Sequence, residues 1–179
     1  MSNRSLHTAL LSVSLAFAAP CLALADAPDL KSATPVIYLA DNLDEKDRLG
    51  WCIDTVGRGF NDTLHAHSCK PARTDPMDTQ FSYDASTGLL RSVAFDTKCV
   101  SLLDGFDTPF GLIDCQADDA MQVFDYDAQS QGIRVKSIPD RCMVVGDSSR
   151  SAGPFMSRDL NFAICADVEP PRKQWIIKG

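Results

Sequence analysis

Three side chains lying between two cysteines could do most of the chemistry open to this chain. Asp54 stands two residues after Cys52, and His65 and His67 stand shortly before Cys69. A carboxylate is a strong hydrogen-bond acceptor, because charge strengthens the bonds it accepts. On a strand, His65 and His67 share one face while Leu64 and Ala66 share the other. Two imidazoles so placed could contribute to a metal site, but no third ligand is evident. The plainer alternatives are a turn residue bonding nearby backbone for Asp54 and exposed strand residues for the histidines. There is no G-x-S-x-G elbow and no H-E-x-x-H helix. No metal and no cofactor is expected.

The elements that must position these residues are short strands in a repeating order. Residues 81–89 (FSYDASTGL) and 124–133 (FDYDAQSQGI) share Phe-x-Tyr-Asp-Ala, a polar turn, then Gly and an aliphatic residue. A strand and a cysteine follow each, and the cysteine opens another strand: CIDTV at Cys52, CVSLL at Cys99 and CMVV at Cys142. A third strand leads into Cys69, Cys115 and Cys165, and the fourth opens on an aromatic, Phe81, Phe124 or Trp175. The period is roughly 45 residues. Three units of four turn-rich strands without helical periodicity make an all-β domain. Residues 35–40 (PVIYLA) form its first strand, and the charged run 41–50 (DNLDEKDRLG) is expected to be a solvated hairpin tip. Residues 147–158 enlarge the third unit as a Ser/Gly/Pro loop, either as tolerated length or as a partner-binding loop.

The cysteines fit this plan. Of seven, Cys21 lies in an N-terminal segment that reads as a signal peptide, which leaves an even number. Short gaps separate Cys52 from Cys69, Cys99 from Cys115 and Cys142 from Cys165, so three local disulfides are the simplest pairing. Closely spaced C-x-x-C units of the metal-cluster kind are missing.

The pattern of cysteine, any residue and aspartate, a strand ending in cysteine, and a closing Q-x-W-like aromatic, repeated three times, resembles the ricin-type lectin β-trefoil. The likeness spans residues 35–179. It implies a barrel of six strands closed by three hairpins with pseudo-threefold symmetry, and one disulfide per repeat. The closing element is partly kept, as Gln122-Val123-Phe124, Thr79-Gln80-Phe81 and Lys173-Gln174-Trp175. Its aromatics should be barrel core.

The same resemblance implies one shallow sugar site per repeat. A carboxylate takes two adjacent hydroxyls, an aromatic ring takes the sugar's C–H face, and a further polar group lies ahead of the closing motif. Carried over residue by residue, the first repeat supplies Asp54, His67 at the ring position, His65 beside it, and Asp78 next to Thr79. The second repeat has Ser101, Gly111 and Ile113 at the first three positions, and the third has Val144, Asn161 and Ala163. Only the first copy keeps the chemistry. Asp54 and Asp78 are paired acids of the sort that hydrolyse glycosides. A shallow site does not enclose a sugar, however, so the chain is expected not to be an enzyme.

Composition narrows the setting. Residues 1–25 carry Arg4, an apolar stretch from Ala9 to Ala19 and an Ala23-Leu24-Ala25 cleavage site, so the mature chain is expected to begin at Asp26 and be secreted or periplasmic. Residues 26–34 read as a flexible leader. The formal charge is −7 before cleavage, which opposes binding to nucleic acid or anionic lipid. No other apolar run is long enough to insert into a membrane. The expected partner is a carbohydrate or glycoconjugate. The alternative is a non-catalytic protein–protein interaction trefoil, such as a subunit of a secreted toxin or surface complex.

Overall fold

A computed structural model describes residues 26–57, 59–72, 77–103 and 109–179. The signal-peptide expectation for residues 1–25 lies outside them. Each repeat opens with a barrel strand, continues as a hairpin and closes with a second barrel strand. The first repeat comprises β1 (Val36–Leu39), β2 (Trp51–Thr55), β3 (Leu64–Ser68) and β4 (Phe81–Asp84). The second comprises β5 (Leu89–Ser92), β6 (Lys98–Leu102), β7 (Phe110–Asp114) and β8 (Phe124–Asp127). The third comprises β9 (Gly132–Val135), β10 (Arg141–Val145), an inserted hairpin β11 (Arg150–Ala152) and β12 (Phe155–Arg158), then β13 (Leu160–Ile164) and β14 (Trp175–Lys178).

The closing strand of each repeat pairs antiparallel with the opening strand of the next. β4 joins β5, β8 joins β9, and β14 returns to β1. The three hairpins β2–β3, β6–β7 and β10–β13 complete the β-trefoil. Their registers superpose position for position: Ile53 faces Ala66, Val100 faces Leu112 and Met143 faces Phe162. Strand alternation sends these pairs into the common core. Phe81, Phe124 and Trp175 lie in that core, as their place in the closing motif implied. Where the third repeat has Ile177, the first two have tyrosines that tie repeat to repeat. Tyr83 donates to the Phe124 carbonyl at 3.3 Å, and Tyr126 to the Trp175 carbonyl at 3.0 Å.

Each hairpin is clamped at its base by a disulfide, Cys52–Cys69, Cys99–Cys115 and Cys142–Cys165. These are the three local pairs the spacing favours.

Three segments differ from the sequence expectation. Residues 41–50 are a solvated tip only in part: Asp44, Lys46, Asp47 and Arg48 are exposed, whereas Asp41, Asn42, Glu45, Leu49 and Gly50 are buried. Glu45 accepts hydrogen bonds from the backbone of Asp47 and Leu49 and from the Ser68 hydroxyl. Charge in the sequence suggested solvent, but the Glu45 carboxylate is satisfied by main-chain N–H groups and a hydroxyl instead. Residues 147–158 are not a simple loop. Most of them form the β11–β12 hairpin, which leaves the third repeat and adds to the edge of β3 in the first, with Ser157 opposite His67 and Arg158 opposite Ala66. Residues 26–34 lack regular structure yet lie along the first repeat. Arg48 grips the Asp26 carboxylate, Ser32 donates to the Lys70 carbonyl, and Leu30 packs beside the Cys52–Cys69 bridge.

Candidate functional site

The face of β2 and β3 turned away from the barrel core carries Cys52 opposite His67 and Asp54 opposite His65. The β11–β12 hairpin lies across its edge, so all five residues of β3 are buried. His65 and His67 are 7% and 6% exposed. They are therefore not exposed strand residues, because an extra pair of strands covers the edge on which they sit.

Between the two hairpins lies a cavity of about 680 Å³, within the usual range for a small-molecule site. Asp54, Thr55, His65, His67, Lys70 and Asp78 form one wall. Ala152, Gly153, Pro154 and Phe155, the tip of the inserted hairpin, form the other, and Gly57 and Gly59 line one edge. Four residues expected at the site, Asp54, His65, His67 and Asp78, thus meet around one space. Thr79 is fully buried and is not among the lining residues. The shallow site implied by the family pattern is instead a deeper, partly covered cleft, because the third repeat supplies one wall.

The roof is held by residues of the first repeat. The Ser68 hydroxyl accepts from Met156 N at 3.0 Å while donating to Glu45. Arg158 donates to the Gly146 carbonyl at 2.5 Å and to Asp44 Oδ1 at 2.6 Å, and its guanidinium lies 5.1 Å from the Trp51 ring centroid. Ser149 donates to the other Asp44 oxygen. The charged run 41–50 is thus the anchor for the insertion.

Lys70 organises the polar wall. Its ammonium lies 2.8 Å from Asp54 Oδ2 and 2.8 Å from Asp78 Oδ2. The contact with Asp78 is an aligned hydrogen bond, and that with Asp54 is an ion pair with poorer alignment. His67 Nδ1 lies 3.6 Å from the same Asp54 oxygen and 3.0 Å from the Ser68 carbonyl. An Nδ1–H donor to Ser68 leaves Nε2 of the neutral ring as an acceptor.

Burial sets the protonation of this wall. It pushes Asp54 up to about 7, against the opposing pull of Lys70 and with added repulsion from Asp78. Burial also presses His65 down to about 4, helped by His67, Arg150 and Lys70. It lowers His67 as well. For Lys70, burial acts downward, but Asp54 and Asp78 outweigh it and raise the group. At neutral pH both imidazoles are uncharged, Lys70 is charged and Asp54 is near its midpoint.

Asp54 Oδ1, Thr55 Oγ1, His65 Nε2 and Asp78 Oδ1 are buried and make no hydrogen bond among the described residues. All four belong to residues of the same cavity wall. A buried polar atom without a partner is costly, which favours a site that receives its partners from a ligand or ordered water. The set can accept hydroxyl or amine protons, and Thr55 can also donate. Among the described residues no group of three or more His, Cys, Asp or Glu is disposed to hold a metal ion.

The sequence reading missed Lys70, Thr55 and the hairpin tip. Lys70 had a signal: it directly follows the second cysteine, where the other repeats have Gln116 and Ala166. Thr55 follows Asp54 on the strand, and alternation places its backbone position toward the barrel, so pattern alone would not select it. Phe155 had no local signal, since only long-range pairing brings it to β3.

No protein-family model matches the chain, and no curated protein is significantly similar to it. Solved structures do resemble it. The cytolethal distending toxin structure from Actinobacillus actinomycetemcomitans matches over 80% of this chain and 90% of its own, with 15% identity and a TM-score of 0.53. That from Haemophilus ducreyi matches over 80% and 82%, with 16% identity and a TM-score of 0.51. The structure of GalNAc-T7 with UDP, GalNAc and Mn2+ has 16% identity and a TM-score of 0.48. It covers 72% of this chain, which spans 20% of that one. At these identities the likeness is one of fold: the protein is a β-trefoil with three disulfides. No helix of the described residues is long and apolar enough to cross a membrane.

Proposed function

We propose that the chain is a secreted carbohydrate-binding module of the ricin-type lectin kind, with one developed site in the first-repeat cavity. The observation that carries this reading is the set of buried, unpartnered oxygens and nitrogen on Asp54, Thr55, His65 and Asp78 around one partly covered cleft. Adjacent sugar hydroxyls donate to Asp54, and the charge of that carboxylate strengthens both bonds. Asp78 Oδ1 and His65 Nε2 take further hydroxyls, and Thr55 can donate to a ring or hydroxyl oxygen. The reading is non-catalytic. A glycan array with the parent protein and Asp54→Ala tests it. A defined glycan signal lost in the variant is expected; no signal, or one unchanged by the substitution, would refute the site.

A second reading is a trefoil subunit of a secreted toxin or surface complex that binds protein and no sugar. It draws on the match to cytolethal distending toxin structures over most of both chains. It expects a silent glycan array and a defined co-purifying partner whose binding needs residues 147–158. Retention of that partner after deletion of the hairpin would count against it.

A further inference from the structure

The cavity has two unlike walls, from two different repeats. The first-repeat wall is polar throughout: two carboxylates, an ammonium, two imidazoles and a hydroxyl. The third-repeat wall, Ala152 to Phe155, offers no polar side chain. A pyranose has the same division, with hydroxyls around its edge and an apolar patch of C–H groups on one face. Aromatic rings suit such a patch, because their faces are apolar and carry partial negative charge.

The ring available for that role is not the one the repeat pattern names. His67 is packed in place, with its Nδ1 on the Ser68 carbonyl and its ring against Phe155 at 5.6 Å between centroids, in an edge-on arrangement. Phe155 is only half-buried and lines the cavity. It is also held: it pairs with Ala152 across the hairpin, and the next residue, Met156, is bonded through its N–H to Ser68. A ring fixed before the ligand arrives loses little freedom on binding.

We infer that Phe155, delivered from the third repeat, is the stacking platform and a specificity-determining residue of the first-repeat site. The inference rests on the carbohydrate reading above and adds to it a site shared between two repeats. Ligands that present a continuous C–H face to Phe155 while offering adjacent hydroxyls to Asp54 are preferred. Sugars whose axial hydroxyl interrupts that face are disfavoured.

The test uses the parent protein, Asp54→Asn, Phe155→Ala, Phe155→Leu and Phe155→Trp. Affinities are measured by titration calorimetry for the methyl glycosides of galactose, glucose, mannose and N-acetylgalactosamine. Phe155→Ala and Phe155→Leu should each weaken the best ligand roughly tenfold and compress the differences among the four sugars. Phe155→Leu keeps apolar bulk and removes the ring, so it separates stacking from packing. Phe155→Trp should retain parental affinity and add a fluorescence signal that packing alone would not produce. The two native tryptophans, Trp51 and Trp175, are fully buried, so the new indole dominates acrylamide quenching, and the best sugar should protect it. Parental affinity and selectivity in Phe155→Leu, or an indole equally quenched with and without sugar, overturns the inference while loss of binding in Asp54→Asn upholds the reading beneath it. If the parent protein binds none of the four sugars, both fall. Should Phe155→Ala fail to fold, the Leu and Trp variants carry the test.

Discussion

The β2–β3 and β6–β7 hairpins share strand length, register and a base disulfide, and differ in what covers their outer faces. At the position of Asp54 the second repeat has Ser101, and opposite it Gly111 stands where the first has His65. The difference is more than a change of side chains. A Cβ at Gly111 would meet the Asp62 carbonyl and the Leu103 side chain, each at 2.4 Å. The loop joining β2 and β3 thus fills the space over the second hairpin with main chain, and Leu112 N donates to that Asp62 carbonyl at 2.9 Å. The first hairpin is covered instead at its edge, by β11–β12, and a cavity remains between. One scaffold therefore yields a filled face and a hollow one, depending on which neighbouring loop reaches over it. The third hairpin, with Val144, Asn161 and Ala163 on its outer face, has neither carboxylate nor ring there.

This contrast can be broken in several ways. Replacing Cys52 and Cys69 by serine should cost about 3 kcal/mol of stability, the usual value for a loop of this length, and should abolish glycan binding. Replacing Cys142 and Cys165 should cost a similar amount yet leave binding intact in the folded fraction. Denaturant melts paired with calorimetry would decide, and equal loss of binding in both would erase the distinction between repeats. Asp54→Ala should weaken binding by about 30-fold, the loss of charged hydrogen bonds worth about 2 kcal/mol, whereas Ser101→Ala should change nothing. An effect of Ser101→Ala on affinity would mean that the second repeat also binds. Gly111→Ala should destabilise by about 1–2 kcal/mol through overpacking against backbone, measured as a shift in the urea midpoint. A neutral result would show that the filled face is loose.

Two smaller effects depend on pH. If ionised Asp54 is the acceptor, affinity should climb from pH 6 to pH 8 and level off above, since the group lies at about 7. A flat profile would rule out ionised Asp54 as the acceptor. Stability responds with opposite signs. Asp54 holds its proton more readily folded than unfolded, so its contribution falls as pH rises from about 4 toward 7. His65, held down to about 4, contributes stability above its ordinary 6.5 that is lost as pH falls from there toward 4. The two slopes oppose each other in the shared window. Removing one by Asp54→Asn should make acid destabilisation between pH 6.5 and 4 steeper than in the parent, as followed by thermal melts. Parallel profiles would show that Asp54 is not coupled to folding as its burial implies.

Much of the architecture was legible without coordinates. The spacing of the cysteines, the Phe-x-Tyr-Asp-Ala repeat and the closing aromatics are local patterns, and the core uses them as read: Phe81, Phe124 and Trp175 sit inside, and the three nearby cysteine pairs join. Position matching also singled out Asp54, His65, His67 and Asp78, which the fold brings around one cavity, because register is inherited from the repeat and alternation assigns each residue a face. The charged run 41–50 was legible in part: Lys46, Asp47 and Arg48 are exposed as their charge suggests, but nothing local signals the burial of Asp41 and Glu45. Glu45 and Asp44 have partners from β3 and β12, far along the chain.

Strand pattern, repeat and disulfide pairing were therefore settled by the sequence alone, because each depends on residues a few tens of positions apart at most and on the two-residue period of a strand. The character of the site was decided by tertiary structure. Ser68 and Met156 are 88 positions apart, and only their contact places a roof over His65 and His67. That roof turns a shallow face into a partly covered cleft, brings Phe155 opposite the carboxylates and withdraws Asp54 from water. Protonation follows from solvent access, and solvent access is a property of what the rest of the chain lays on top.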